Sequence, residues 1–181
     1  MNLTEKPLSQ EYIYKGKIIN LRVDTALLPN GNTAKREVVE HPGGVCVAAL
    51  TENDEIYIVR QFRYPYQEVL PEVPAGKLEF SEDPLLCGMR ELTEETGISA
   101  DTYTFLGKLY PSPGYVGEII YMYLATGLHE GKANPDEDEF LECEKIPLSD
   151  LVQMVLDGEI KDAKTQAIVL KIYAMKQKGL L

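Results

Sequence analysis

Residues 76–98 read GKLEFSEDPLLCGMRELTEETGI and combine the end signals of a helix with a group of acidic residues. Its second half places Glu91, Glu94 and Glu95 beside Arg90. Side chains three and four residues apart share one face of a helix, so these carboxylates lie together and repel each other. A divalent cation can hold such a group, because hard ions bind carboxylate oxygens and accept phosphate oxygens in the same shell. The pattern therefore predicts a metal site that serves chemistry on phosphate esters or anhydrides.

The helix that carries these carboxylates has marked ends. Residues 81–84 (Ser-Glu-Asp-Pro) give an acidic cap and a proline suited to the first helical position, and Gly97 is placed to end the helix in a left-handed conformation. Four apolar residues are expected to supply the buried stripe: Leu85, Leu86, Met89 and Leu92. We expect Glu95 to be exposed on its helix and used only for metal, and Arg90 to pair with Glu94 four residues on.

The rest of the chain alternates between strand and helix patterns. An antiparallel arm is predicted over residues 10–40, with a turn at residues 29–32, and the prolines at 65, 71 and 74 are expected to prevent regular structure before Gly76. Further strands are predicted at residues 45–50, 56–62, 103–110 and 118–125, with a short one after the acidic residues 136–139, and helices at 149–156 and 163–178. This order indicates an α/β sandwich.

Bulk properties exclude several classes of protein. The net charge is −11, from 18 basic and 29 acidic residues, which argues against a nucleic-acid polymer as partner. No apolar run is long enough to span a membrane, and residues 1–6 do not resemble the start of a signal peptide. Three scattered cysteines have neither disulfide nor zinc spacing, which indicates reduced thiols in the cytoplasm.

The spacing of Gly76, Glu82 and the run from Arg90 to Ile98 resembles the Nudix box at every specified position. The resemblance implies an αβα sandwich with a mixed sheet. It also implies that Glu91 and Glu95 bind the metal, with the carbonyl of Ala75 nearby and with Glu94 and Glu82 supporting the site. Mg²⁺ is the expected ion, with Mn²⁺ able to replace it.

Weaker motifs narrow the substrate. The loop of residues 112–114 (Ser-Pro-Gly) and the stretches 35–39, 59–63, 72–76 and 162–165 look like the ADP-ribose pyrophosphatase branch of that family. The resemblance therefore implies hydrolysis of ADP-ribose to AMP and ribose 5-phosphate. Another nucleoside diphosphate sugar or a dinucleotide is the alternative substrate. A non-catalytic nucleotide sensor is a further alternative, although the complete box and the lack of a basic patch count against it.

The same resemblance assigns roles to single residues. Arg36 and Arg63 are expected to hold the adenine end and the phosphates, since a guanidinium can stack on a base or bind phosphate oxygens in pairs. Glu118 is expected to face the distal sugar, and Lys77 to meet the substrate through its backbone. Arg60 has two open interpretations, a substrate contact or an ion pair with a nearby acid.

The proton acceptor is expected in the acidic loop. The resemblance favours Glu139 over Glu137 as a base or further metal ligand, provided that the loop closes on the substrate. Glu94 and Arg90 complete the predicted catalytic set.

Two parts are expected along the chain. Residues 1–40 are predicted to form the N-terminal β arm and residues 41–181 the hydrolase domain. The exposed strand edges of the arm need a partner, so we expect a homodimer in which the arm is exchanged.

Overall fold

The computed structural model describes residues 2–135 and 139–181, which divide into two compact units. The first unit comprises residues up to 43 together with 110–119. Its three strands are β1 (Lys6–Lys15), β2 (Asn20–Leu27) and β3 (Thr33–Glu40), paired antiparallel in that order. The predicted antiparallel arm is confirmed, and residues 110–119 join it through a bridge between Val39 and Val116. The boundary between arm and domain at residue 40 stays a prediction.

The second unit contains two sheets and three helices. Its elements are β4 (Gly44–Ala49), β5 (Glu55–Arg63), β6 (Glu68–Glu72), β7 (Ala75–Lys77), α1 (Pro84–Thr96), β8 (Ile98–Leu109), β9 (Ile120–Glu130), β10 (Leu141–Pro147), α2 (Leu148–Leu156) and α3 (Ala163–Gln177). One sheet has the order β7-β4-β9-β8 and the other β10-β5-β6. Because β4 runs parallel to β9 and antiparallel to β7, the first sheet is mixed, as the resemblance implies.

Alternation along β4 divides the core into two layers. Val45, Val47 and Ala49 pack with Leu92 of α1 in one cluster. Cys46 and Ala48 point the other way, into a cluster that includes residues of α2 and α3. Successive strand side chains point to opposite faces, so a strand buried on both sides is apolar throughout. The helices therefore cover both faces of the sheet, which gives the αβα class.

The ends of α1 are as predicted, but its buried face is not. Asp83 caps the helix by accepting a hydrogen bond from Leu85 N at 2.9 Å, and Gly97 ends it at φ 74°. Leu86 is 60% exposed and Met89 is also exposed, so their prediction as core residues is wrong. The buried positions are Cys87, Gly88, Glu91, Leu92 and Glu95.

Among the described residues, no helix is long and apolar enough to cross a membrane.

Two strand predictions also need correction. Pro71 lies inside β6, opposite Arg60 of β5, although the prolines were expected to prevent regular structure there. Since β6 is the edge of its sheet, a missing N–H on the outer side costs no ladder bond. Strands β8 and β9 are longer than predicted, and β8 accommodates its length with an irregularity at Gly107, whose φ is 122°.

Candidate active site

Helix α1 presents two of its carboxylates inward. Glu91 is 8% exposed and Glu95 is 4% exposed. The expectation that Glu95 is exposed is therefore wrong, because the helix turns this face onto β7. The backbone N–H of Ala75 donates to Glu95 Oε2 at 3.1 Å. Gly76 lies against the carboxylate of Glu91 with no room for a side chain. Strand β7 and helix α1 thus bring together four of the residues that the sequence singles out.

Burial disfavours the ionised form of both carboxylates when no cation is bound. The pKa of Glu95 is raised to about 8, mainly by burial; the charges of Glu91 and Glu139 also raise the pKa, and the Ala75 N–H lowers it. Burial also raises the pKa of Glu91, although the adjacent Arg90 acts in the opposite direction. A cation between the two carboxylates would remove this penalty, because an opposite charge favours the ionised form.

Arg90 joins the remaining carboxylates of the helix region. Its Nη1 donates to Glu94 Oε2 at 2.9 Å and lies 2.9 Å from Glu91 Oε1. Its Nε donates to Glu82 Oε1 at 3.1 Å. This hydrogen bond lowers the pKa of Glu82 to about 2, helped by the backbone N–H of Glu79. The predicted pairing of Arg90 with Glu94 is confirmed, and Glu82 folds back onto the same helix as expected.

The donor set fits a hard divalent cation. Glu91 and Glu95 supply two carboxylates, and Ala75 adjoins them with its backbone. Glu139 is half-buried, and its charge acts on both carboxylates. Within residues 2–135 and 139–181, no three acidic, histidine or cysteine side chains already stand at metal-binding distance. Such a pair with few protein ligands suits Mg²⁺, which keeps several waters and takes substrate phosphates. Glu137, the alternative proton acceptor, lies outside the described residues.

Arg63 is held by a residue that the sequence analysis did not single out. Its Nε and Nη2 donate to the two oxygens of Glu72, each at 2.7 Å. Glu72 also accepts a hydrogen bond from Lys164 at the start of α3. From sequence, the stretches 72–76 and 162–165 are two separate motifs with no predicted contact between them. Their contact joins residues far apart in sequence, so no local pattern could reveal it.

The other predicted substrate residues are distributed over both units of the chain. Arg36 belongs to the first unit, where its Nη2 donates to Glu5 Oε1 at 2.6 Å beside a cavity of about 410 Å³. Glu118 of the same unit lies 3.4 Å from His41 Nδ1. Lys77 is exposed at the end of β7. Of the two interpretations of Arg60, the ion pair is observed, with Nε 2.5 Å from Glu144 Oε1.

Comparison with known families agrees with this geometry. The NUDIX domain family matches residues 33–167, a span that includes α1, β7 and Arg63. The chain belongs to the Nudix family. Residues 5–39 match a second family, the nucleoside diphosphate sugar hydrolase N-terminal domain. Nudix domains generally depend on a divalent metal, which agrees with the donor set of Glu91 and Glu95.

Individual relatives of this Nudix chain cover nearly all of it. An ADP-ribose pyrophosphatase of Bacillus subtilis (strain 168) is 45% identical over 166 residues, which are 91% of this chain and 90% of the relative. A methanol dehydrogenase activator of Bacillus methanolicus is 41% identical over 178 residues, 97% of this chain and 95% of the relative. A crystal structure described as an ADP compounds hydrolase matches with a TM-score of 0.85 over 100% of both chains. Its sequence is 20% identical, so it establishes the Nudix fold alone.

Proposed function

We propose that the protein hydrolyses the pyrophosphate bond of ADP-ribose, with Mg²⁺, to give AMP and ribose 5-phosphate. The observation that carries the proposal is the pair of buried carboxylates, Glu91 and Glu95, held on α1 against the backbone of β7. The 45% identical ADP-ribose pyrophosphatase supports the choice of substrate.

Glu91 and Glu95 would hold the Mg²⁺ ion, with the carbonyl of Ala75 beside them, and Mn²⁺ is expected to replace it. When bound, the ion supplies charge neutralisation for the pyrophosphate and lowers the pKa of a water molecule. Glu94 and Arg90 support this pair through the hydrogen bonds that fix one face of the helix. Their role is to keep the ligands in place rather than to exchange protons.

The chemical step consumes one water and breaks one phosphorus–oxygen bond. Oxygen from water forms the new bond to phosphorus, and the bridging oxygen leaves with the other phosphate. Glu139 is proposed to accept the proton of that water, because its charge already acts on the two buried carboxylates. Arg63 and the backbone of Lys77 are proposed to bind the phosphates, and Arg36 and Glu118 the two ends of the substrate.

We also propose a homodimer in the cytoplasm. Strand β1 is exposed along its whole length and forms the edge of its sheet. Such a strand edge needs a partner strand or a cover, and a second copy of the arm of residues 1–40 supplies one. The match of residues 5–39 to an N-terminal domain of nucleoside diphosphate sugar hydrolases supports a role of this arm in the function.

The test is hydrolysis of ADP-ribose by purified protein with Mg²⁺, followed by identification of the products. AMP and ribose 5-phosphate in equal amounts are expected, and Glu95→Gln is the control that should form little of either. No turnover of ADP-ribose, together with cleavage of another compound in the same panel, contradicts the proposed substrate. The panel should include other nucleoside diphosphate sugars and a dinucleotide, because the match of residues 5–39 favours that wider class.

A further inference from the structure

Four charged side chains, two of them buried, form a connected series from the start of α3 to the end of β5. Glu72 is 1% exposed and accepts two hydrogen bonds from Arg63, from Nε and Nη2, each at 2.7 Å. Lys164 is also buried and donates to Glu72 Oε2. Lys164 also contacts a second carboxylate, with its Nζ 3.0 Å from Asp162 Oδ1. Two cations and two anions therefore alternate in this series, and its two middle members, Glu72 and Lys164, are buried.

Burying charged side chains in this way is energetically unfavourable compared with burying apolar ones. A buried ion pair loses hydration, and apolar residues of similar volume are often as stable or more so. Burial raises the pKa of Glu72, but the hydrogen bond from Arg63 and the charge of Lys164 outweigh this and lower it overall. Each charge is thus maintained by its neighbours. A function other than stability is the better account of such a series next to a candidate active site.

Both ends of this series of charges are more exposed than its middle, and the Arg63 end is the most exposed. The Arg63 side chain is 37% exposed, whereas those of Glu72 and Lys164 are buried. In the part of the chain that the structure describes, Arg63 Nη1 makes no hydrogen bond. The charge of Arg63 also acts on Glu95, the buried carboxylate of the candidate metal site. A guanidinium that is fixed on one side and open on the other suits a phosphate oxygen near that site.

We propose that Lys164 is a positioning residue for substrate binding. It fixes the carboxylate of Glu72, which in turn holds Arg63 at two points and leaves Nη1 for a phosphate of the substrate. A carboxylate held by one cation alone can rotate or shift, so Lys164 completes the support that Arg63 needs. This role rests on the proposed function for its substrate, but the geometry of the three side chains does not depend on it.

The principal variant is Lys164→Met, which keeps an unbranched side chain and removes the charge. The second variant, Lys164→Met with Glu72→Gln, removes one cation and one anion together and so leaves no unpaired buried charge. Lys161→Met is the matched control, because Lys161 forms an exposed ion pair with Glu68 at 2.6 Å. Each protein is measured for KM and kcat with ADP-ribose and Mg²⁺, for Tm, and for the Kd of α,β-methylene ADP-ribose by calorimetry.

Lys164→Met should raise KM and Kd about tenfold, with kcat changed less than about twofold, since uniform binding is lost. The double variant should recover much of the Tm, because neither of the two buried positions then carries a charge. Its KM should stay raised, because glutamine replaces one of the two acceptor oxygens that face Arg63 with an NH2 donor. The control should match the wild type. Recovery of KM together with Tm in the double variant, or an unchanged KM in Lys164→Met, overturns the proposal.

A measurement on the wild type keeps the proposal open to test if neither variant folds. The Nε–H signal of Arg63, assigned by its loss in Arg63→Lys, should exchange slowly and shift when inorganic pyrophosphate and Mg²⁺ are added. A signal that exchanges fast, or whose chemical shift does not change when pyrophosphate is added, contradicts the role of Lys164 and Glu72. Absence of ADP-ribose hydrolysis by the wild type contradicts the proposed function instead, so the two failures are distinguishable.

Discussion

Gly76 and Glu91 are in direct contact, with the backbone of one against the carboxylate of the other. A Cβ atom built on Gly76 would lie 1.9 Å from Glu91 Oε1 and from Glu91 Cδ. No non-bonded pair tolerates that distance, since contacts of this kind are most favourable near 3.5–4.0 Å. The glycine at this position therefore sets where the carboxylate of the helix can lie.

Replacing Gly76 with alanine should displace Glu91 and impair the metal site. We expect kcat to fall by about tenfold or more, equivalent to about 1.4 kcal/mol, with a higher Mg²⁺ concentration at half-maximal activity. Activity measured across a Mg²⁺ titration gives both values. Gly88→Ala is the control, because its Cβ would press on Val45 and Val47 at 3.0 and 3.1 Å, in the core. That variant should change Tm without changing the Mg²⁺ requirement, and the same Mg²⁺ shift in both variants contradicts the account.

Glu95→Gln should abolish most turnover and change how stability depends on pH. Burial raises the pKa of Glu95 to about 8 from an ordinary value of 4.5, so folding favours its protonated form. This stabilising contribution is complete below pH 4.5 and is lost as the pH rises towards 8. In the absence of metal, the Tm of the variant should therefore rise relative to that of the wild type as the pH increases from 4.5 to about 8. Thermal unfolding in EDTA at several pH values checks this, and a constant Tm difference would contradict it.

Much of this site can be predicted from sequence because its signals are local. The caps of α1, Asp83 and Gly97, and the pairing of Arg90 with Glu94 all follow from spacings within one helix. The inward orientation of Glu95 does not follow from spacing. It depends on β7 lying over that face, and a charged residue on a helix is more often exposed.

The parts that sequence could not supply depend on contacts between distant segments. Glu72 and Lys164 are separated by ninety-two positions, and only the folded chain brings them together. Pro71 is a similar case, because its place in a strand is permitted only by the edge position of β6. The fold class needs no such detail, since the order of apolar strands and predicted helices along the chain indicates it.

Arg90→Met should destabilise the protein most at neutral pH. Arg90 holds the pKa of Glu82 at about 2, below its ordinary value of 4.5. This contribution to stability is present above pH 4.5 and is lost as the pH falls through about 2. We expect the free energy of unfolding to fall by about 1–2 kcal/mol at pH 7 after allowing for solvent screening. The difference from the wild type should become smaller as the pH approaches 2. Urea unfolding at each pH provides the measurement.

The matched control for Arg90→Met is Arg60→Met, since Arg60 pairs with Glu144 at the surface. An exposed pair contributes about 0–1 kcal/mol, so this variant should differ little from the wild type at any pH. Equal effects of the two substitutions would mean that Arg90 has no special role in holding the carboxylates.

Glu139→Gln should separate proton transfer from metal binding. If Glu139 accepts the proton of water, kcat should fall about 10²-fold or more, while the Mg²⁺ concentration at half-maximal activity changes little. Comparison of kcat and of the Mg²⁺ titration between wild type and variant makes this test. An equal loss of rate and of metal affinity would instead make Glu139 mainly a metal ligand.

The central claim is that α1 holds a divalent cation at Glu91 and Glu95 for use on a pyrophosphate. The most direct measurement is anomalous diffraction from crystals grown with Mn²⁺ and α,β-methylene ADP-ribose. We expect an anomalous peak within about 2.0–2.3 Å of a carboxylate oxygen of each residue, with the pyrophosphate analogue in contact with the ion. Bound analogue without a peak at these two carboxylates, or a peak only elsewhere, would contradict it.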